Sequence, residues 1–166
     1  IGELQSCLKR LQLAERGIQD TEKYQDCEGF YRREIPERNI LRREIKEGLS
    51  SVEFHKKLSE LFELAQKHQL SANYPSGMML DVEDGTFTYF VYVEVYENCE
   101  ELPEYKCIPA GTYECLRCPP KSIMKADELY PEYFASHAKF TIVESDCITS
   151  PVYFQEYPVE LQFNKL

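Results

Sequence analysis

The sequence predicts an α+β domain: an antiparallel sheet made of two strand–strand–helix–strand–strand halves, both helices on one face, preceded by an amphipathic helix. Three observations predict it. Several segments alternate apolar and polar residues with the period of two that marks a half-buried strand, most clearly Thr86 to Val95. A helical stretch from Ser50 to about Gln69 carries Phe54, Leu58, Leu61, Phe62 and Ala65 on one face. After the loop Glu97 to Glu104 the same order of elements starts again, although no residues match between the halves.

Residues 1 to 23 read as helix. Ile1, Leu4, Leu8, Leu11 and Ile18 form one seam at spacings of 3, 4, 3 and 7, interrupted by Glu15. That is the a/d pattern of a coiled coil, and so narrow a stripe seeks a partner helix. The seam opens at Ile1 with neither an initiating methionine nor a cap, so the helix is expected to continue upstream. The polar stretch 24 to 28 is a linker. Phe30 to Ile35 and Ile40 to Ile45 then read as strands about the turn Pro36 to Asn39.

Ser50 with Glu53 is a capping box opening the first domain helix. Pro75 and Gly77 break the chain before a short strand, Met78 to Val82, and Asp84-Gly85 is a hairpin turn. In the second half, Tyr105 to Ile108 and Tyr113 to Cys118 read as strands about Pro109-Ala110-Gly111. A helix is expected over Ile123 to Ala138, with Pro131 in its middle. Phe140 to Val143 and Val159 to Phe163 complete the sheet. Tyr153 to Tyr157 is extended, and Pro158 marks a strand start or an edge.

The chain has 166 residues and a net charge of −10, from 29 acidic against 19 basic residues. A nucleic-acid binder shows a basic footprint, so this chain alone is not expected to bind DNA. An acidic field favours cationic ligands, or serves only solubility. The longest apolar run is too short to cross a bilayer, and no signal peptide opens the chain, so a cytoplasmic location without membrane contact is expected. Seven cysteines, an odd number, fit reduced thiols. Cys115-Leu-Arg-Cys118 has half the spacing of a zinc site, but no second pair of ligands accompanies it, so neither metal nor cofactor is expected. No nucleophile elbow, phosphate-binding loop, dinucleotide fingerprint or HExxH is present, and no enzyme activity is expected.

The candidate site comes from aromatic alternation. The chain holds twelve tyrosines and nine phenylalanines but no tryptophan. In the strand Thr86 to Val95, the valine-rich side is expected under the helices, and the opposite side offers Phe90, Tyr92 and Glu94. Two rings and a carboxylate on one sheet face suit a flat apolar cation; an ordinary half-exposed face with Glu94 solvated would look the same. Tyr153, Gln155 and Tyr157 repeat the theme on one side of their segment.

Four segments in order carry a family resemblance. Cys107-Ile-Pro-Ala-Gly-Thr-Tyr-Glu-Cys115 resembles the IPxGxY hairpin that opens the second half of GyrI-like effector domains. Glu156-Tyr-Pro-Val-Glu-Leu-Gln-Phe163 resembles the EYxVExxI ending of multidrug-binding MerR-type regulators. Tyr31 to Arg38 and Phe87 to Val95 sit where that family has its opening segment and central strand. The resemblance covers about 28 to 166 as a GyrI-like effector-binding domain and makes 1 to 23 the end of a dimerisation helix. It implies a homodimer, and contact with DNA only through a separate N-terminal domain. It also implies a pocket for lipophilic, cationic small molecules, with Tyr157 on its wall. Phe54 or His55, Pro120, and Met124 or Lys125 fall near positions where the family places pocket residues. The family's buried glutamate aligns near Ile148 or Thr149, so Glu144, Asp146 or Glu94 would have to replace it; if none does, the resemblance no longer implies a cationic ligand and a neutral one becomes the alternative. A small-molecule hydrolase and a stand-alone GyrI-like protein-binding module are the alternatives.

Overall fold

A computed structural model describes residues 2–24, 27–46, 50–146 and 159–165. Helix α1 spans Gly2–Tyr24, with Leu4, Leu8 and Leu11 exposed along its seam. The domain follows as β1 (Tyr31–Ile35), β2 (Arg38–Ile45), α2 (Ser51–Lys67), β3 (Ala72–Glu83) and β4 (Thr86–Val95). The second half is β5 (Tyr105–Ile108), β6 (Gly111–Cys118), a 3₁₀ turn (Ser122–Lys125), α3 (Ala126–Leu129), α4 (Pro131–Ser136), β7 (Lys139–Asp146) and β8 (Val159–Lys165). All eight strands form one antiparallel sheet in the order β1-β6-β8-β7-β3-β4-β2-β5.

The local signals work as expected where they are strong. Ser50 accepts from the Glu53 amide, and the Glu53 carboxylate accepts from the Ser50 amide, closing the capping box. Asp84 and Gly85 both take positive φ, 49° and 82°, as the tight β3–β4 turn requires. On β4, Tyr89, Val91, Val93 and Val95 pack beneath the helices with Leu61 and Ala65 of α2.

Two elements differ from expectation. The strand before the hairpin runs the whole of Ala72–Glu83; the break expected at Pro75 and Gly77 is only a register shift between Asn73 and Ser76. Gly77 is needed there, because a Cβ would lie 2.9 Å from the Glu144 carbonyl oxygen. The single helix over Ile123 to Ala138 is instead a 3₁₀ turn and two short helices. Tyr130, held at φ −130° by the following proline, ends one helix, and Pro131 starts the next.

The strand order makes the sheet curl. β1 and β6 lie at one end of the order and β2 and β5 at the other, yet β1 joins β2 through Pro36-Glu37 alone, and β5 joins β6 through Pro109-Ala110 alone. A two-residue link reaches only about 7–10 Å, so the ends must approach each other. The convex side carries the helices and the larger core. The concave side encloses a second cluster that includes Ile35, Ile40, Met79, Tyr92, Ile108 and Tyr113.

Candidate ligand-binding face

Curling brings side chains of distant strands together on the concave side. Phe90 and Tyr92 lie there as expected, Tyr92 fully buried, with its hydroxyl donating to the Glu144 backbone oxygen at 2.5 Å. The Arg42 guanidinium stacks on Phe90, 3.9 Å from the ring centre, and pairs with Asp81 at 2.9 Å. Glu94 is half-buried. Loss of water around it pushes its carboxyl above the usual carboxylate range, with the Arg38 charge partly offsetting this.

Charged groups that the sequence reading did not single out sit beside these rings. Glu160 of β8 is buried; it accepts from the Tyr31 hydroxyl and pairs with Arg33, both from β1, and Gln162 also donates to it at 2.8 Å. Burial, then the Glu160 charge, raises the Tyr31 hydroxyl well above its ordinary value, and Arg117 beside it lowers it in part. Arg38, 8% exposed, donates from Nη1 to Gln162 Oε1 at 2.7 Å and lies 5.5 Å from the centre of the Tyr113 ring. Arg38 thus joins β2 to β6 and β8 across the curl. Lower on this side, Arg42, Met79, Asp81, Ile108 and Thr141 line part of a cleft of about 280 Å³.

The remaining expected site residues are spread differently. Phe54 and Met124 pack against the helix-side core, across the sheet from Phe90 and Tyr92, and Pro120 is exposed. Glu144 is half-buried beside Gly77 and Tyr92. Tyr153 and Tyr157 lie outside the described residues, as do Ile148 and Thr149.

Cys115 belongs to the concave cluster and Cys118 to the helix-side core, so the CxxC thiols point through opposite faces of the sheet. Burial pushes the Cys118 thiol up to about 11, leaving it protonated at neutral pH. Among the described residues no three Cys, His, Asp or Glu side chains gather as a metal site. Alkylation followed by mass spectrometry is expected to label exposed Cys7 and Cys27 first, and Cys115 and Cys118 only on unfolding. Labelling of Cys118 at the Cys27 rate would contradict this packing.

No family model matches the chain, and no curated protein does. Solved structures do. The C-terminal domain of EcmrR overlays at a TM-score of 0.55 and 14% identity, covering 83% of this chain and 98% of that one. EcmrR in its complex with DNA overlays at 0.52 and 13% identity, covering 99% of this chain and 68% of that one. SAV2435 bound to tetraphenylphosphonium overlays at 0.42, with 12% identity, over 82% and 93% of the two chains. Among the described residues no helix is long and apolar enough to cross a membrane. The fold of the EcmrR C-terminal domain agrees with the resemblance carried by residues 107–115 and 156–163, and this chain has the GyrI-like fold.

Proposed function

We propose that the chain is the effector-binding domain of a MerR-type transcription regulator, taking a lipophilic cation on its concave face. The observation that carries this reading is Phe90, Tyr92 and Glu94 side by side on the inner face of a curled sheet. The rings supply dispersion and cation–π attraction, and a partly desolvated carboxylate supplies charge where water is scarce. The shared fold with EcmrR supports the class. Tyr153 and Tyr157 remain part of the proposed site, as further walls.

Tetraphenylphosphonium and neutral triphenylphosphine oxide test the reading by calorimetry. Glu94→Gln is expected to weaken the cation about tenfold and the neutral compound less than twofold. A raised carboxyl pKa adds a pH signature. Binding a cation favours the ionised form, so affinity should fall as pH drops through the raised Glu94 value, and the profile should flatten in Glu94→Gln. Equal losses for both compounds, or none, would place the cation site elsewhere.

The same reading makes residues 1–23 a dimerisation helix and 28–166 the ligand-binding domain. Leu4, Leu8 and Leu11 are 76%, 56% and 68% exposed, so these three leucines find no cover among the described residues. A second copy of the helix supplies it, and attached DNA-binding heads would respond to ligands that favour one dimer arrangement over another. Sedimentation is expected to show a concentration-dependent dimer that Leu4→Glu with Leu8→Glu abolishes. A wild-type monomer at every concentration, in a chain carrying the full helix, would refute this.

A further inference from the structure

The most unusual group on the concave face is not an acid. Arg38 is more than nine-tenths buried, yet of its guanidinium nitrogens only Nη1 makes a well-formed hydrogen bond; Nε and Nη2 are sealed from solvent without one. Burial raises the Tyr113 hydroxyl above its ordinary value, and the Arg38 charge is close enough to pull it partly back down. Buried guanidinium groups are ordinarily paired, because an unmet charged donor in a low-dielectric setting is costly. The acids nearby do not answer it. Glu160 is committed to Tyr31, Arg33 and Gln162. Glu94 feels the Arg38 charge, but desolvation outweighs that attraction. Among the described residues three arginines, Arg33, Arg38 and Arg117, thus share this end of the face with two carboxylates.

We propose that Arg38 anchors a carboxylate carried by the ligand, so that the effector is a lipophilic zwitterion, a cation that also bears a carboxylate, rather than a simple cation. The geometry suits it. Nε and Nη2 form one edge of the planar fork, the edge that grips both oxygens of a carboxylate. Tyr113 lies against the guanidinium, and Gln162 holds the opposite nitrogen, so the fork is already fixed in place. Both free N–H groups are covered, so an arriving carboxylate must displace their cover, and the two hydrogen bonds gained offset that displacement. The inference rests on the concave face being the ligand site and sharpens which ligands it accepts.

Rhodamine B, which bears a free carboxylate, and rhodamine B ethyl ester, which is a plain cation, form a matched pair. Fluorescence anisotropy of the whole chain is expected to show the acid binding about tenfold more tightly than the ester. Arg38→Met should erase that preference, and Arg38→Lys should keep part of it. Arg38→Met removes a buried charge but also the bond to Gln162, so some loss of stability is expected; if it fails to fold, Arg38→Lys carries the comparison. Equal binding of acid and ester to the wild type, or a preference that survives in Arg38→Met, overturns the inference and leaves the ligand-sensing reading standing. If neither dye binds, that reading falls and the inference with it.

Discussion

Phe163→Ala is expected to destabilise the domain by about 3–5 kcal/mol, the cost of emptying a large aromatic site in a packed core. Phe163 is 1% exposed. Its ring meets Tyr133 of α4 at 4.7 Å, Phe30 at 5.6 Å and Tyr130 at 6.1 Å between centroids. It therefore joins β8 to the short second-half helices and to the segment entering β1. Those helices are too short to hold themselves together, so the aromatic cluster holds them. A domain of this size is stable by only about 5–15 kcal/mol, and the loss should lower the melting midpoint by roughly 6–20 °C. Phe87→Ala is the control: Phe87 is 36% exposed, its one ring contact among the described residues is Phe134 at 5.4 Å, and the substitution should cost about 1 kcal/mol or less. Similar losses in the two variants would mean that the Phe163 cluster is not the keystone of the second half.

How far the sequence revealed this molecule depends on how local each feature is. The alternation of β4, the Asp84-Gly85 turn and the Ser50–Glu53 box are set by neighbouring residues, and each is where the pattern put it. The sequence pattern makes the two-residue link Pro36-Glu37 a longer turn, because Arg38 and Asn39 lack the apolar signature of a strand; pairing with β5 and β4 makes them one. The charged half of the concave face was not legible. Arg33, Arg38 and Glu160 each look like the solvated residue of an alternating strand. Val159-Glu160-Leu161-Gln162-Phe163 shows its two faces plainly, but nothing in it says that the polar face is enclosed. Enclosure comes from the curl that sets β8 against β2, a contact among residues more than a hundred positions apart, such as Arg38 with Gln162. The expected helix-borne contributors failed to converge with Phe90 for the complementary reason. Phe54 and Met124 follow the helical apolar stripe, and that stripe faces the convex core.

Glu160 decides whether the buried acid of this face is architectural. Its carboxylate is held by Arg33, Tyr31 and Gln162, with side-chain exposures of 5% for Glu160 and 16% for Arg33. Removing the Glu160 carboxylate takes away the countercharge that Arg33 and the Tyr31 hydroxyl meet in a buried setting, so Glu160→Leu is expected to cost about 2–4 kcal/mol. Replacing both partners removes two desolvated charges together, and Arg33→Met with Glu160→Leu should recover most of that loss. Urea titrations of the two single variants and the double give the coupling directly. Strict additivity would show that the pair contributes nothing specific. Glu160→Gln then separates architecture from recognition, since it keeps the shape and drops the charge. If the folded Gln variant binds tetraphenylphosphonium as the wild type does, Glu160 holds β8 to β1 and Glu94 serves the ligand. If it loses the cation while Glu94→Gln does not, the recognising acid is Glu160, and the site lies toward β1 and β8 rather than on β4.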